Sequence, residues 1–268
     1  MRVSVVIPAF GHQDLLDRSL ATWERQHTEA HEIIVVDDGS AVPLSVPPWV
    51  TLYRFEHDGV HRGSSRAKNK GAEIATGDYL CFADSDILHM PDALASLSHT
   101  MGKWEAEGER NVILNVWRVS LPDGYPERRT RNVEGLLKRM RIAGLAFDEA
   151  LTKSSCYWEQ NCGMLSRTLF LKVGGYDKST LKSWGFNNHD LDMRVMLAGG
   201  RVSSAIPRIS TGKRLLCFHI WHDSVRDRGV ADVEFATKWG EKWTCGIMEY
   251  AKYRGECDSE NHTVQGNG

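Results

Sequence analysis

Residues 78–86 read DYLCFADSD. Tyr79, Leu80, Cys81 and Phe82 favour strands or bury well, and Asp84 and Asp86 follow at once with one residue between them. Two carboxylates that close destabilise each other unless a cation stands beside them. The stretch therefore predicts a buried strand whose end offers a pair of acids to something positive. Asp and Ser also cap helices well, so DSD equally suits a helix N-terminus before ILHMPDAL.

The flanking sequence repeats the scheme. VSVVI (3–7) is a β-branched run that Pro8 ends, and Leu15, Leu16, Leu20 and Trp23 then recur at helical spacing. EIIVVDDGS (32–40) is a second buried strand followed by Asp37, Asp38 and a Gly-Ser turn. TLYRF (51–55) is a third strand, SSRAKNKGAEIATG (64–77) a helix closed by Gly77, and DYLCFA (78–83) a fourth strand. PDALASLSHTMGKWEAEG (91–108) is a helix opening at Pro91, and NVILNVWRV (111–119) is a fifth strand. Such alternation predicts an α/β fold, a mainly parallel, Rossmann-like sheet flanked by helices. Ligands of such sheets bind beyond the carboxyl ends of the strands, where Pro8, Asp37, Asp38, Asp84 and Asp86 all fall.

Residues 1–120 form one half of the expected domain, and 121–254 the other. The stretch 120–155 is rich in basic residues, Arg128, Arg129 and Arg131 among them. It reads as a solvated helix face or as a surface for an anionic partner. Beyond it come NCGMLS (161–166), a short helix RTLFLKVGG (167–175), and a helix within WGFNNHDLDMRVMLAGG (184–200). In that last helix Leu191, Val195 and Ala198 share a face, and Gly199-Gly200 stops it. LLCFHIWH (215–222) is a strand carrying His219 and His222 at its end; a helix over 231–254 and a disordered polar tail, 255–268, follow.

The composition bounds the class. With 268 residues, 41% hydrophobic and 25% charged, the chain has the make-up of one large globular domain. A formal net charge of −2 argues against non-specific nucleic-acid binding. Six cysteines without a C-x-x-C pair read as reduced, buried thiols rather than disulfides or a zinc site. No apolar run has the length of a membrane span, and MRVSVVIPAF lacks the features of a signal peptide, so a soluble, cytoplasmic protein is expected.

Taken together, VSVVIPAF (3–10), EIIVVDDGS and RAKNKGAEIATGDYLCFADSD (66–86) resemble the nucleotide-sugar glycosyltransferases of the GT-A fold, and over residues 1–120 the family-2 group. The second half, through GMLSRTLFLKVGGYD (163–177), WGFNNHDLDMRVMLAGG and CFHIWH (217–222), looks like the polypeptide N-acetylgalactosaminyltransferases. Those enzymes carry a W-G-G-E-N-x-E-L-x-x-R-V block ending in Gly-Gly, then C-x-H-x-x-H. It is matched at Trp184, Gly185, Asn188, Leu191, Arg194, Val195, Gly199, Gly200, Cys217, His219 and His222, with Asp190 in place of Glu.

The resemblance implies a UDP-sugar donor and a Mn²⁺ (or Mg²⁺) ion held by Asp84, Asp86 and His222, with Ser85 at the donor. It implies that Pro8, Ala9 and Phe10 line the nucleoside, that an aspartate at Asp37 or Asp38 accepts from the uracil, and that Arg66 lies near the diphosphate or base. Such an ion would act as a Lewis acid on the departing diphosphate. Simpler roles stand beside these: a turn cap for Asp37 and Asp38, a solvated helix face for Arg66, a core or surface histidine at 222, and close backbone approach at Gly63 and Gly71.

Inverting relatives place Glu-Asp where this chain has Asn187-Asn188, and an amide cannot serve as general base. Either His189 or Asp190 takes over, or the leaving phosphate accepts the proton and configuration is retained, which is the reading favoured here. Asn188 then binds sugar hydroxyls, Trp184 gives an apolar wall or is simply buried, and Asp190 is catalytic or pairs with Arg194 four residues on. Arg226 and Arg228 follow His222 and suit either a loop over the diphosphate or plain solvation. The acceptor expected is a polypeptide Ser or Thr, the alternatives a polysaccharide or a modified nucleobase in DNA. A catalytically silent nucleotide-sugar binder is the competing class. A nucleotidyltransferase is disfavoured because PAFGHQD (8–14) lacks a Gly-rich, basic phosphate loop.

Overall fold

A computed structural model describes residues 1–57, 64–120, 162–177, 187–203, 216–220 and 238. β1 (Val3–Ala9), β2 (Glu32–Asp37), β3 (Thr51–Arg54) and β4 (Tyr79–Ala83) are the strands expected from the β-branched runs. They alternate with α1 (Gln13–Trp23) and α2 (Ser65–Ile74). After β4 come β5 (Ile87–His89), α3 (Ala93–Ala106), β6 (Val112–Asn115), β7 (Trp117–Ser120), β8 (Cys162–Ser166) and α4 (Arg167–Lys172). The order closes with α5 (Asn187–Leu197), β9 (Arg201–Ser203) and β10 (Leu216–His219).

The main sheet has seven strands in the order β3-β2-β1-β4-β8-β6-β9. All its pairs are parallel except those β8 makes with β4 and β6. The central strands are buried on both faces, so alternate residues feed two cores. Val5, Ile7, Val35, Cys81 and Leu114 join one core with α1 and α3. Val6, Ile34, Phe82 and Ile113 join the other with α2, α4 and α5. The result is a three-layer α/β domain, a mainly parallel sheet between helices.

Three expectations shift. Pro8 does not end β1, which runs on to Ala9 with Pro8 opposite Val36. The ladder with β4 has already stopped at Val6, opposite Phe82, so the missing proline N–H leaves no rung broken. The helix expected at Pro91 starts at Ala93, after Asp92.

The run 111–119 is two strands. β6 lies in the main sheet, whereas β7 lies in a second sheet of order β5-β10-β7. Val116 is the hinge; its N–H bonds the Cys162 carbonyl at 2.9 Å. This small sheet also decides the local structure of DSD. Residues 84–86 are a turn between β4 and β5, and Ile87–His89 is a strand paired with β10, so the helix-cap reading falls.

Candidate active site

The carboxyl ends of β2, β1 and β4 lie side by side, and Asp37, Ala9 and Ala83 end them. Asp37 is fully buried and spends its carboxylate on the following loop. It accepts from the Ser40 N–H at 2.8 Å, the Ser40 hydroxyl at 2.6 Å, the Leu44 N–H at 3.3 Å and Arg54 Nε at 3.1 Å. Ser40 Oγ in turn accepts from the Gly11 N–H at 2.7 Å, tying the β1 loop to the β2 loop. Asp37 therefore does the turn-capping work.

Asp38 has a different partner. Arg66, in the first turn of α2, donates from Nε to Asp38 Oδ1 at 2.7 Å and from Nη2 to the Asp38 carbonyl at 3.1 Å. Its guanidinium lies 4.1 Å from the centre of the Phe55 ring. A planar cation between a carboxylate and an aromatic face is held, so the solvated-face reading of Arg66 falls. Ala9 is buried and Phe10 half-buried beside this arrangement, and the Asp38 N–H bonds the Ala9 carbonyl at 2.8 Å.

Asp84, Ser85 and Asp86 are half-buried. Each acid has a cationic or cation-forming neighbour. Lys68 Nζ stands 3.1 Å from Asp84 Oδ1, and His219 Nε2 stands 3.1 Å from Asp86 Oδ2. The Ile220 N–H donates to the Asp86 carbonyl at 2.9 Å, which fixes the end of β10 against the acidic turn. Burial, and the charge of Asp86 beside it, hold the Asp84 carboxyl above the usual carboxylate range, with Lys68 and His219 pulling the other way. The acid pair is thus flanked on both sides.

Lys68 and His219 are the residues that sequence reasoning passed over. His219 stands in the sequence expectations as a strand-end histidine that matches C-x-H-x-x-H, while the ligand role is expected of His222, which lies outside the described residues, as do Trp184, Gly63, Arg128, Arg129, Arg131, Arg226 and Arg228. The signal for Lys68 was present: it stands four residues before Ala72 and seven before Ala75, on the buried stripe of α2.

Among the described residues no three His, Cys, Asp or Glu side chains stand close enough together to hold a metal ion. The donor set still fits one. Asp84 and Asp86, with one residue between them, offer hard oxygens and His219 beside Asp86 a nitrogen, and a bound diphosphate would supply further oxygens.

On the other side of the site, α5 opens with Asn187 and Asn188. Its far end turns through Gly199, φ 77°, into β9, which runs parallel to β6. The amides therefore stand towards the carboxyl end of β6. Asp190 is fully buried and both its oxygens are paired: Oδ2 with Arg194 at 2.7 Å and Oδ1 with Lys238 at 2.7 Å. Lys238 also pairs with Asp177. Burial holds the His189 imidazole down to about 4, so it is neutral near pH 7.

No helix among the described residues is long and apolar enough to cross a membrane. Cys81, Cys162 and Cys217 are buried free thiols, as expected.

Comparison with known proteins adds the lineage. Validoxylamine A glucosyltransferase of Streptomyces hygroscopicus subsp. limoneus is 38% identical over 224 residues, covering 74% of this chain and 48% of that protein. GalNAc(5)-diNAcBac-PP-undecaprenol beta-1,3-glucosyltransferase of Campylobacter jejuni is 27% identical over 125 residues, 41% of this chain and 40% of that one. The chain spans about half the length of the curated relatives it matches. In fold it is similar to GalNAc-T7 solved with UDP, GalNAc and Mn²⁺ (TM-score 0.56, 16% identity, 90% of this chain, 48% of that). It is likewise similar to the Pyrobaculum calidifontis mannosyltransferase PcManGT with GDP-Man and Mn²⁺ (TM-score 0.52, 18% identity, 85% and 58%). These neighbours are GT-A enzymes, and the three-layer sheet described above is theirs. The model of the glycosyl transferase family 2 matches residues 4–170, which hold the ends of β1, β2 and β4 at the candidate donor site, and the chain belongs to that family.

Proposed function

We propose that the chain transfers a hexosyl group from a UDP-sugar to a hydroxyl acceptor, with a divalent cation, Mn²⁺ or Mg²⁺, at the acidic turn. The observation that carries the reading is one cation paired with an acid beyond each of the two strands that flank β1, Arg66 with the buried Asp38 and Lys68 with the half-buried Asp84. Asp84 and Asp86 would hold the ion, with His219 or His222 as the nitrogen ligand. When bound, the ion supplies Lewis-acid stabilisation of the charge that grows on the departing diphosphate. Asp38 and Arg66 meet the nucleoside end, one as acceptor and the other as donor.

The proton of the acceptor hydroxyl needs a destination. The first turn of α5 offers two amides, and the Asp190 carboxylate is committed to Arg194 and Lys238. A phosphate oxygen of the leaving group on the front face is then the base, which gives retention. Asn188 holds sugar hydroxyls.

Inversion is the second reading. Common UDP-hexoses are α-linked, so a β product means inversion, and the Campylobacter relative's name states a β-1,3 linkage. In that case the neutral His189 imidazole is the available base. For the acceptor, relatives named for validoxylamine A and for an undecaprenol-linked glycan favour a glycan or polyol hydroxyl. The C-terminal motifs favour a polypeptide Ser or Thr.

The test is UDP release from UDP-Glc, UDP-Gal, UDP-GlcNAc and UDP-GalNAc with Mn²⁺, over a panel of glycan, polyol and peptide acceptors. Proton NMR of the new anomeric centre decides between retention and inversion. Release that requires Mn²⁺ and is lost in Asp86→Ala supports the proposal. UDP binding without release from any donor would instead support a silent binding protein.

A further inference from the structure

We propose that Lys68 is a positioning residue for the acidic turn, holding Asp84 in place for the cation; this rests on the metal-site reading above. The first turn of α2 reaches two strand ends at once: Arg66 pairs with Asp38 after β2, and Lys68 pairs with Asp84 after β4, with β1 between them. The helix sits low enough to do this because Gly71 faces β1, where a Cβ would meet Val6 Cγ1 at 2.3 Å.

Lys68 is 1% exposed. Its ammonium carries three donors, yet Asp84 Oδ1 is its one ion-pair partner among the described residues, with the Tyr176 ring 5.4 Å away. Tyr176 is itself fixed by α2: Asn69 donates to the Tyr176 carbonyl and accepts from its N–H, both at 2.8 Å. Burying an ammonium is costly, and a buried ion pair seldom adds stability over apolar residues of the same volume. Placement is therefore the better reason for a lysine here.

The Asp84 side chain is 27% exposed. With Oδ1 held from beneath by Lys68, the carboxylate orientation is set and its second oxygen is left for a ligand. One of two like charges is also offset before any cation arrives. Pre-set geometry of this kind lowers the ordering that binding must impose.

The experiment compares the wild type with Lys68→Met, close in length and apolar, and with Lys68→Arg, which restores the charge. Mn²⁺ binding with UDP present is read by electron paramagnetic resonance at constant pH, and melting temperature is read with and without Mn²⁺. We expect Lys68→Met to melt at or above the wild-type temperature without metal, while its Mn²⁺ dissociation constant rises about tenfold or more, a change of about 1.4 kcal/mol. Its donor KM should rise at limiting Mn²⁺ and return towards wild type at saturating Mn²⁺, with Lys68→Arg intermediate. Unchanged or tighter Mn²⁺ binding in Lys68→Met overturns the proposal. So does a failure of both variants to fold, which would make Lys68 a structural residue. A wild type that binds no Mn²⁺ brings down the functional reading itself, and this inference with it.

Discussion

Replacing Gly71 by alanine tests how closely α2 lies on the sheet. Gly71 has no positive φ, so the substitution is sterically local and adds no backbone strain. The new Cβ would sit 2.3 Å from Val6 Cγ1 and 3.3 Å from both Val6 Cβ and Cγ2. Carbon atoms rest about 3.5–4.0 Å apart, so more than about an ångström must open. Val6 is fully buried and β-branched, so its χ1 is stiff in a close-packed core, and relief falls mainly to a shift of the helix. Overpacking of this kind costs about 2–3 kcal/mol, and the better helix propensity of alanine returns about 1 kcal/mol. The expected net loss is about 1–2 kcal/mol, or about 2–8 °C in Tm for a domain of this size. Because Arg66 and Lys68 ride on the same helix, UDP affinity should fall as well. Thermal or urea denaturation of Gly71→Ala, Val6→Ala and the double variant checks this. The double variant should be more stable than the sum of the single losses by about 1 kcal/mol or more. Strict additivity, or a Gly71→Ala variant more stable than wild type, would refute the reasoning.

Other substitutions probe separate parts of the molecule. His89 is buried against Trp23, ring centres 4.2 Å apart, and burial holds its imidazole down to about 3. Unfolding therefore takes up a proton between about pH 3 and 6.5, so stability should fall as pH drops through that window, by up to about 1.4 kcal/mol per unit. His89→Phe should flatten that slope in urea titrations, with His189 and the lowered carboxyls of Glu32 and Asp78 still contributing. Asp190→Asn leaves Arg194 and Lys238 short of a buried counter-charge and should cost about 3–5 kcal/mol by thermal melting. Wild-type stability with lost turnover would mark Asp190 as catalytic instead. Ser40→Ala removes the hydroxyl that links Gly11 to Asp37, and should lower stability by about 1–3 kcal/mol and weaken UDP binding in calorimetry.

How much of this was legible in sequence depends on the range of the forces involved. The buried strands and the helices between them follow from local periodicity, and the acids at strand ends follow from the strands. Asp190 with Arg194 followed from i,i+4 spacing. What escaped depends on contacts distant in sequence. The split of 111–119 at Val116 is a change of sheet partner, from β8 and β9 to β10, and nothing in NVILNVWRV marks it. Pro8 could sit inside β1 only because the β4 ladder ends two residues earlier. The division of labour between Asp37 and Asp38 needed Arg54 and Arg66 in place. His219 reaches Asp86, 133 positions away in sequence, only through the small sheet. Lys68 was the one missed residue with a local signal, a charge on an otherwise small and apolar helix stripe.

A crystal grown with UDP and Mn²⁺, measured at the manganese absorption edge, tests the central claim most directly. The account predicts an anomalous peak within coordination distance of Asp84 or Asp86 and of the diphosphate, with Lys68 still on Asp84 and the uracil beside Asp38 and Arg66. Manganese bound elsewhere, or UDP seated with its diphosphate away from the turn at residues 84–86, would contradict it.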